Sequence, residues 1–279
     1  MKRLIIVAVL IIIAAIAGIV RSHGGEFVHV NELSGSGQEG AEVREEIRKS
    51  FELAPGATVR VAGINGVVRI ETADTTTAEL YVERTAKSRE SLSRRKISID
   101  SSATNLEIKG KSENVGFIAR LFGSSPHERV TLRLPRQVSL ITGGVNGDLI
   151  VGEIDGSVEI HGINGKVDVG QASGSAEFHG INGNITVALK GLEHSGVRLK
   201  GINGNIEVRL AEGMNAEIEA RGMNGRVVSD LPDFVLEEEK HGSYSAHVGT
   251  GGSPISAHGI NGNIRLSRVA VQAQAKNTP

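Results

Sequence analysis

Residues 158–187 read VEIHGINGKVDVGQASGSAEFHGINGNITV, and the two copies of His-Gly-Ile-Asn-Gly inside that stretch decide the fold. Gly-(Ile/Val/Met)-Asn-Gly occurs at Asn65, Asn146, Asn164, Asn182, Asn203, Asn224 and Asn261. From Asn146 the steps are 18, 18, 21, 21 and 37 residues, so the last interval holds an excursion within Val228–Thr250. A weaker copy lies nine residues before the next Asn, at Asp155, Ser173, His194, Asn215 and Gly252, which gives each half-unit one strand and one turn. A fixed period of this length takes precedence over local propensity.

Parity converts the period into a shape. Counting each Asn as zero, position −1 is Ile64, Val145, Ile163, Ile181, Ile202, Met223 or Ile260. Position +3 is Val68, Leu149, Val167, Ile185, Ile206, Val227 or Ile264, and position +5 is aliphatic except at Ser229. All three offsets are odd, so strand alternation turns them to one side and the Asn to the other. Asn-Gly is also a hairpin signal, which keeps an antiparallel meander or sandwich as the alternative. A hairpin would set the aliphatic −1 against a polar +2 (Asp148, Lys166, Asn184, Asn205, Arg226, Asn263) every time. Stacked coils instead bury all three columns and lay Asn on Asn, so the expected fold is an all-β solenoid of 18–21-residue coils.

The rest of the chain divides around this repeat. Lys2 and Arg3 precede an apolar run, Leu4–Val20, so 1–21 reads as a signal peptide or a membrane anchor. Either puts residues 22–279 outside the cytoplasm. Residues 22–42 are a Gly/Ser-rich tether, 43–142 an N-terminal β-strand region or cap, 143–268 the solenoid and 269–279 a frayed tail. Val43, Ile47 and Phe51 mark a short helix or an entry strand. Six basic residues in Arg84–Lys96 (Arg84, Lys87, Arg89, Arg94, Arg95, Lys96) read as a solvated hairpin tip, and Val115, Ile118, Leu121 and Phe122 as a cluster over a sheet edge or end.

Composition narrows the chemistry. The 279 residues include no Cys, no Trp, only 6 Phe and 2 Tyr, and 36 Gly. That removes disulfides, thiolate sites and a lipidated cysteine, and leaves little for a base-stacking surface. A net charge of −1 provides no global field for nucleic acid.

The N-terminal membrane segment, the V-x-GING-x-V strand pair near Asn65, the strand RVTLRLP and the G-(V/I)-N-G-x-(I/V)-x-V repeats together resemble the bacterial putative-adhesin family of β-strand-repeat proteins, over about residues 45–268. The resemblance implies an extracytoplasmic right-handed β-solenoid with a role in adhesion or envelope organisation, and it carries over no catalytic residue. The 21-residue units and the Val228–Thr250 excursion depart from the pattern.

Candidate chemistry is sparse. Gly35-Ser-Gly37-Gln-Glu-Gly40 mimics a dinucleotide fingerprint, but TVRVAGING follows where an acidic strand end is needed. Gly110-Lys111-Ser112 mimics a P-loop whose leading Gly is Asn105. Neither survives, so no cofactor, metal or catalytic residue is expected. The rival class, a polysaccharide-active enzyme on the same scaffold, would draw on Glu159, Asp168, Glu177 and Glu207, which scatter through outward columns. A third reading is an accessory that binds a partner in envelope-stress sensing through 228–250. More suggestive is the residue before each Gly-x-Asn-Gly: His161, His179, Lys200, Arg221 or His258. Stacked, these form a basic column for an anionic envelope glycan, tightening as imidazoles protonate near pH 6, or else a solvated edge that keeps rods apart. The Asn column reads as structural, with Asn and Gly tolerating a left-handed corner and amides bonding from coil to coil. The partners expected are an envelope glycan or a protein, no nucleic acid, and the membrane through an uncleaved N-terminus; the sequence sets no oligomeric state.

Overall fold

The computed structural model describes residues 27–31, 42–112, 125–191 and 196–269. The signal or anchor segment, the fingerprint at Gly35–Gly40, most of the tether, His194, the 115–122 cluster and all but the first residue of the tail lie outside the described residues. Among the described residues no helix is long and apolar enough to cross a membrane.

The described part of the chain is mostly strand. It opens with β1 (Phe27–Asn31), β2 (Val43–Glu52), β3 (Thr58–Ala62), β4 (Gly66–Ala73) and β5 (Thr77–Ala86). A short helix, α1 (Arg89–Ser93), starts where Ser88 Oγ accepts from Ser91 N–H. Then come β6 (Arg95–Ser102), β7 (Asn105–Ser112) and β8 (His127–Pro135). The repeat supplies β9 (Ser139–Val145), β10 (Leu149–Ile154), β11 (Val158–Ile163), β12 (Val167–Ala172), β13 (Ala176–His179) and β14 (Ile185–Leu189). It continues with β15 (Val197–Asn203), β16 (Ile206–Leu210), β17 (Ala216–Arg221) and β18 (Val227–Ser229). The excursion is a hairpin, β19 (Phe234–Lys240) and β20 (Ser243–Val248), and the last pair is β21 (Ser253–Asn261) and β22 (Ile264–Arg268).

Two eleven-stranded mixed sheets result. Sheet I runs β1-β2-β5-β8-β4-β10-β12-β14-β16-β22-β18, and sheet II runs β19-β20-β17-β21-β15-β13-β11-β9-β3-β7-β6. No hairpin closes at the repeated Asn-Gly pairs: β11 belongs to sheet II and β12, across Asn164-Gly165, to sheet I. Within each sheet the repeat strands pair in parallel, Val167 opposite Ile185 and Val158 opposite Ala176. Antiparallel pairs are confined to the two ends, as in β2/β5 and β17/β20. Val43–Glu52 is therefore an entry strand, not a helix. The two sheets share one core. Ile163, Ile181 and Ile202 are each 1% exposed, and the +3 and +5 columns are buried with them except for half-buried Ser229. Phe178 is the largest of the fully buried side chains in that aliphatic interior.

One feature departs from a simple stack in chain order. β21 lies between β15 and β17, and β22 lies between β16 and β18. The chain thus leaves a gap one strand wide after β16, builds β17, β18 and the hairpin, and returns to fill the gap. Filling it gives β21 ladder partners on both sides, Leu199 and Ala220 each pairing with Ala257, where an outer position would give one.

The basic stretch at Arg84–Lys96 is a second departure. Arg84 is 4% exposed and Arg95 reaches the carboxylate of fully buried Glu128, so these two are structural cations, not part of a solvated tip. They turn inward because β5 and β6 flank the end of the core where Glu128 waits on β8. Charge runs alone cannot distinguish the two cases, since the countercharge is more than thirty residues away in sequence.

Candidate functional site

The corner between the two sheets is built by a division of labour within Gly-x-Asn-Gly. The first glycine takes the left-handed turn, with φ between +62° and +67° at Gly63, Gly144, Gly162, Gly180, Gly201, Gly222 and Gly259. The asparagines do not: His241 is the non-glycine residue with positive φ among the described residues. The expectation that Asn shares the left-handed corner is corrected here. Asn holds its place because of what its side chain does.

Each Asn Nδ2 donates to the Oδ1 of the Asn in the adjoining unit, at 2.9–3.1 Å. The ladder runs Asn65, Asn146, Asn164, Asn182, Asn203, Asn261, Asn224, with the inserted unit in its spatial place. It ends on Pro126, whose carbonyl accepts from Asn65 Nδ2 at 2.8 Å. The asparagines are solvent-exposed except half-buried Asn65, and each amide keeps one N–H outside the ladder. Changing Asn182 to Ala removes two such bonds at exposed positions, so the urea midpoint should fall by the equivalent of about 1 kcal/mol. A loss above about 3 kcal/mol would mean that the column carries the fold.

Position +2 forms a second strip that the sequence analysis took only as polar. Asp148 Oδ1 accepts from Lys166 N–H at 2.8 Å. Asn184, Asn205 and Asn263 do the same for the backbone amides of Asn205, Asn263 and Arg226, at 2.9–3.0 Å. The signal was legible: this position holds Asp or Asn in four of the six downstream units, the residues that bond neighbouring backbone.

The basic column assembles on the outer face of sheet II, next to the Asn ladder. Its register is His161 opposite His179, His179 opposite Lys200, Lys200 opposite His258, and His258 opposite Arg221. Sequence order would have placed Arg221 beside Lys200; the returning strand puts His258 between them. His161 lies over Gly143, where an added Cβ would meet its Nε2 at 2.2 Å, so a glycine heads the column.

An acidic column flanks it on the sheet side. Glu159 pairs with Glu177 in register, and Glu177 with Arg198. His161 Nδ1 lies 3.7 Å from Glu159 Oε1, and Arg221 bonds to Glu219. Asp168 and Glu207, by contrast, stand on sheet I with Thr186 between them. The Arg209 guanidinium holds the Glu207 carboxyl below the usual carboxylate range, against the opposing effect of burial. The four carboxylates named for an enzyme are therefore split between two faces. Among the described residues no group of three or more His, Asp or Glu is placed to hold a metal ion.

The chain is similar to bacterial proteins named as adhesins. One solved structure is described as a "putative cell adhesion protein" from Clostridium sporogenes, at 13% identity and a TM-score of 0.38, covering 88% of this chain and 100% of the other. A "putative adhesin" from Bacteroides fragilis matches at 13% and 0.37, covering 79% and 96%. A "putative lipid binding protein" from Parabacteroides distasonis matches at 14% and 0.25, with the same coverage. No family model matches the chain. No curated protein matches it either. What the chain binds has to be read from its own side chains.

Proposed function

We propose that the chain is an extracytoplasmic, non-catalytic adhesive or structural module of the cell envelope, a β-solenoid that binds an anionic envelope glycan along one corner. Supporting the coil reading are parallel pairings offset by the repeat length and the change of sheet at Asn-Gly. The Leu4–Val20 run supports delivery across, or anchoring in, a membrane.

The observation that carries the binding role is the in-register column of His161, His179, Lys200, His258 and Arg221 beside six exposed Asn amides. Adjacent strands are about 4.8 Å apart, so the strip offers a cation or imidazole and an amide donor at that period. It is shallow and linear, which suits an extended chain rather than a small molecule. The flanking Glu159 and Glu177 repel an anionic polymer from the sheet face and leave it the corner, over the basic and Asn columns.

Replacing Lys200 and Arg221 with Ser should weaken retention of the protein in a gel that contains an acidic polysaccharide, by about tenfold for two exposed charges together. Unchanged retention ends the binding role. Release of reducing sugar in the same mixture would assign the chain to the enzyme class instead.

A further inference from the structure

The two sheets have equal strand numbers but are out of step. Beyond β3 and β4, which flank Asn65, sheet I continues through β8, β5, β2 and β1, whereas sheet II continues only through β7 and β6. Beyond β17 and β18 the reverse holds: sheet I stops, and sheet II continues through β20 and β19. Each end is a step two strands high, in opposite sheets. Stacked head to tail, four strands of sheet I (β8, β5, β2, β1 of one copy) would face four of sheet II (β6 and β7 of that copy, β19 and β20 of the next).

Strand direction fits as well. β1 is antiparallel to β2, which shares the direction of the repeat strands through two antiparallel pairings; β18 would therefore meet β1 antiparallel. β6 is antiparallel to β7, and β19 regains the repeat direction through β20, so this joint is antiparallel too.

Side chains at the steps point the same way. Leu236 on β19 is 41% exposed, whereas Val228 and Val235, opposite Arg265 and His247, lie on the outer faces. Leu236 pairs with fully buried Ala246, so it lies on the core side of sheet II, where sheet I has already ended. At the other end Ile97 and Ile99 of β6 and Phe51 of β2 are only partly buried. Continuing the ladder register across the joint sets Glu238 of β19 opposite Asp100 of β6, a like-charged pair that tempers the contact. The acidic run Glu237–Glu239 also turns away a second β19.

We propose that this chain binds a second copy of itself head to tail, β19 against β6 and β18 against β1, and so forms open linear assemblies. The association stands whether or not the corner strip binds a glycan.

Sedimentation velocity of the full-length chain, kept in a mild detergent because of the Leu4–Val20 run, should show a series of species that lengthens with concentration. Leu236→Lys, at an exposed position that leaves the fold intact by circular dichroism, should weaken association at least tenfold. Glu238→Lys, which turns the like-charged facing with Asp100 into an opposite-charged one, should associate about fivefold more tightly, and adding Asp100→Lys should remove that gain. A wild-type chain that stays monomeric, one that stops at a closed dimer, or a Glu238→Lys chain that associates no more tightly overturns the proposal. So does assembly that begins only once residues 113–124 are deleted, which would assign the β6 edge to that segment.

Discussion

Replacing Glu128 with Ala should lower the unfolding free energy by about 3–5 kcal/mol, the cost of breaking a buried ion pair from one side. Glu128 has no exposed surface. Its Oε1 accepts from Arg95 Nε at 2.7 Å and lies 3.9 Å from Arg84 Nε, and its Oε2 accepts from the Asn65 backbone N–H at 2.8 Å. Arg84 would keep Glu45 and the Leu92 carbonyl. Arg95 would keep Ser112 and the Gly63 carbonyl, neither of them charged, and would be left as a cation without a counterion, 14% exposed. Glu128→Gln retains an oxygen for Asn65 but not the charge, so it should fall between Ala and wild type. Adding Arg95→Met to Glu128→Ala should recover part of the loss, because the stranded charge is then gone. Urea unfolding followed by far-ultraviolet circular dichroism measures all three. A cost under about 1 kcal/mol for Glu128→Ala would mean that both guanidinium groups reach water. Because Asn65 begins the Asn ladder, the same substitution should loosen that end of the polar strip first.

The contrast between Glu128 and the repeat explains what could be read from sequence and what could not. The −1, +3 and +5 columns were legible because a period of 18 or 21 residues repeats the same parity in every unit, and parity alone fixes which side chains share a face. The in-register pairing of His161 with His179 and of Asn164 with Asn182 follows from that period without further information. The position of β21 does not. A repeat states that Lys200, Arg221 and His258 occupy equivalent places, but nothing in equivalence says which two are neighbours. The 37-residue interval signalled an excursion at Val228–Thr250, and a hairpin is found there, yet an excursion can end at either face of the preceding strand. The Arg84–Arg95–Glu128 cluster was hidden for a different reason: its members belong to no period, and long-range ion pairs leave no local trace. Asn at the corner was legible as a residue and as a source of coil-to-coil amide bonds, but not as a residue outside the left-handed turn, since Asn-Gly suits both roles and only the φ values separate them.

That last distinction yields the other large expected effect. In Gly201-Ile202-Asn203-Gly204 the first glycine is needed for its dihedral angle alone, whereas the second, also at positive φ (+157°), is needed above all for its missing side chain. Gly201 has φ +62°, and a Cβ there meets nothing closer than Gly180 N at 3.9 Å. Gly201→Ala should cost about 1–2 kcal/mol, the strain of a left-handed alanine. A Cβ on Gly204 would lie 2.2 Å from Gly183 O and 2.5 Å from Gly183 C. Both are backbone atoms, held by the Gly183 N–H bond to Asn203 O at 3.0 Å and the Asn203 N–H bond to Ile181 O at 2.8 Å, so neither can swing aside as a flexible side chain would. Gly204→Ala should therefore cost about 3 kcal/mol or more, as overpacking against rigid neighbours does. Gly183 itself would meet Gly165 O at 2.0 Å, and Gly262 would meet Gly204 O at 2.2 Å, so the penalty should recur in each unit. Equal costs at 201 and 204 would refute the close stacking of corners. The stacking also sets the spacing of the functional strip, since the Asn and basic columns lie on either side of the first glycine. Pushing the corner at Gly204 away from Gly183 should lengthen the Asn203–Asn182 step and draw Lys200 away from His179. Gly204→Ala should thus reduce glycan retention even in protein that remains folded, whereas Gly201→Ala, which leaves the spacing between units alone, should not.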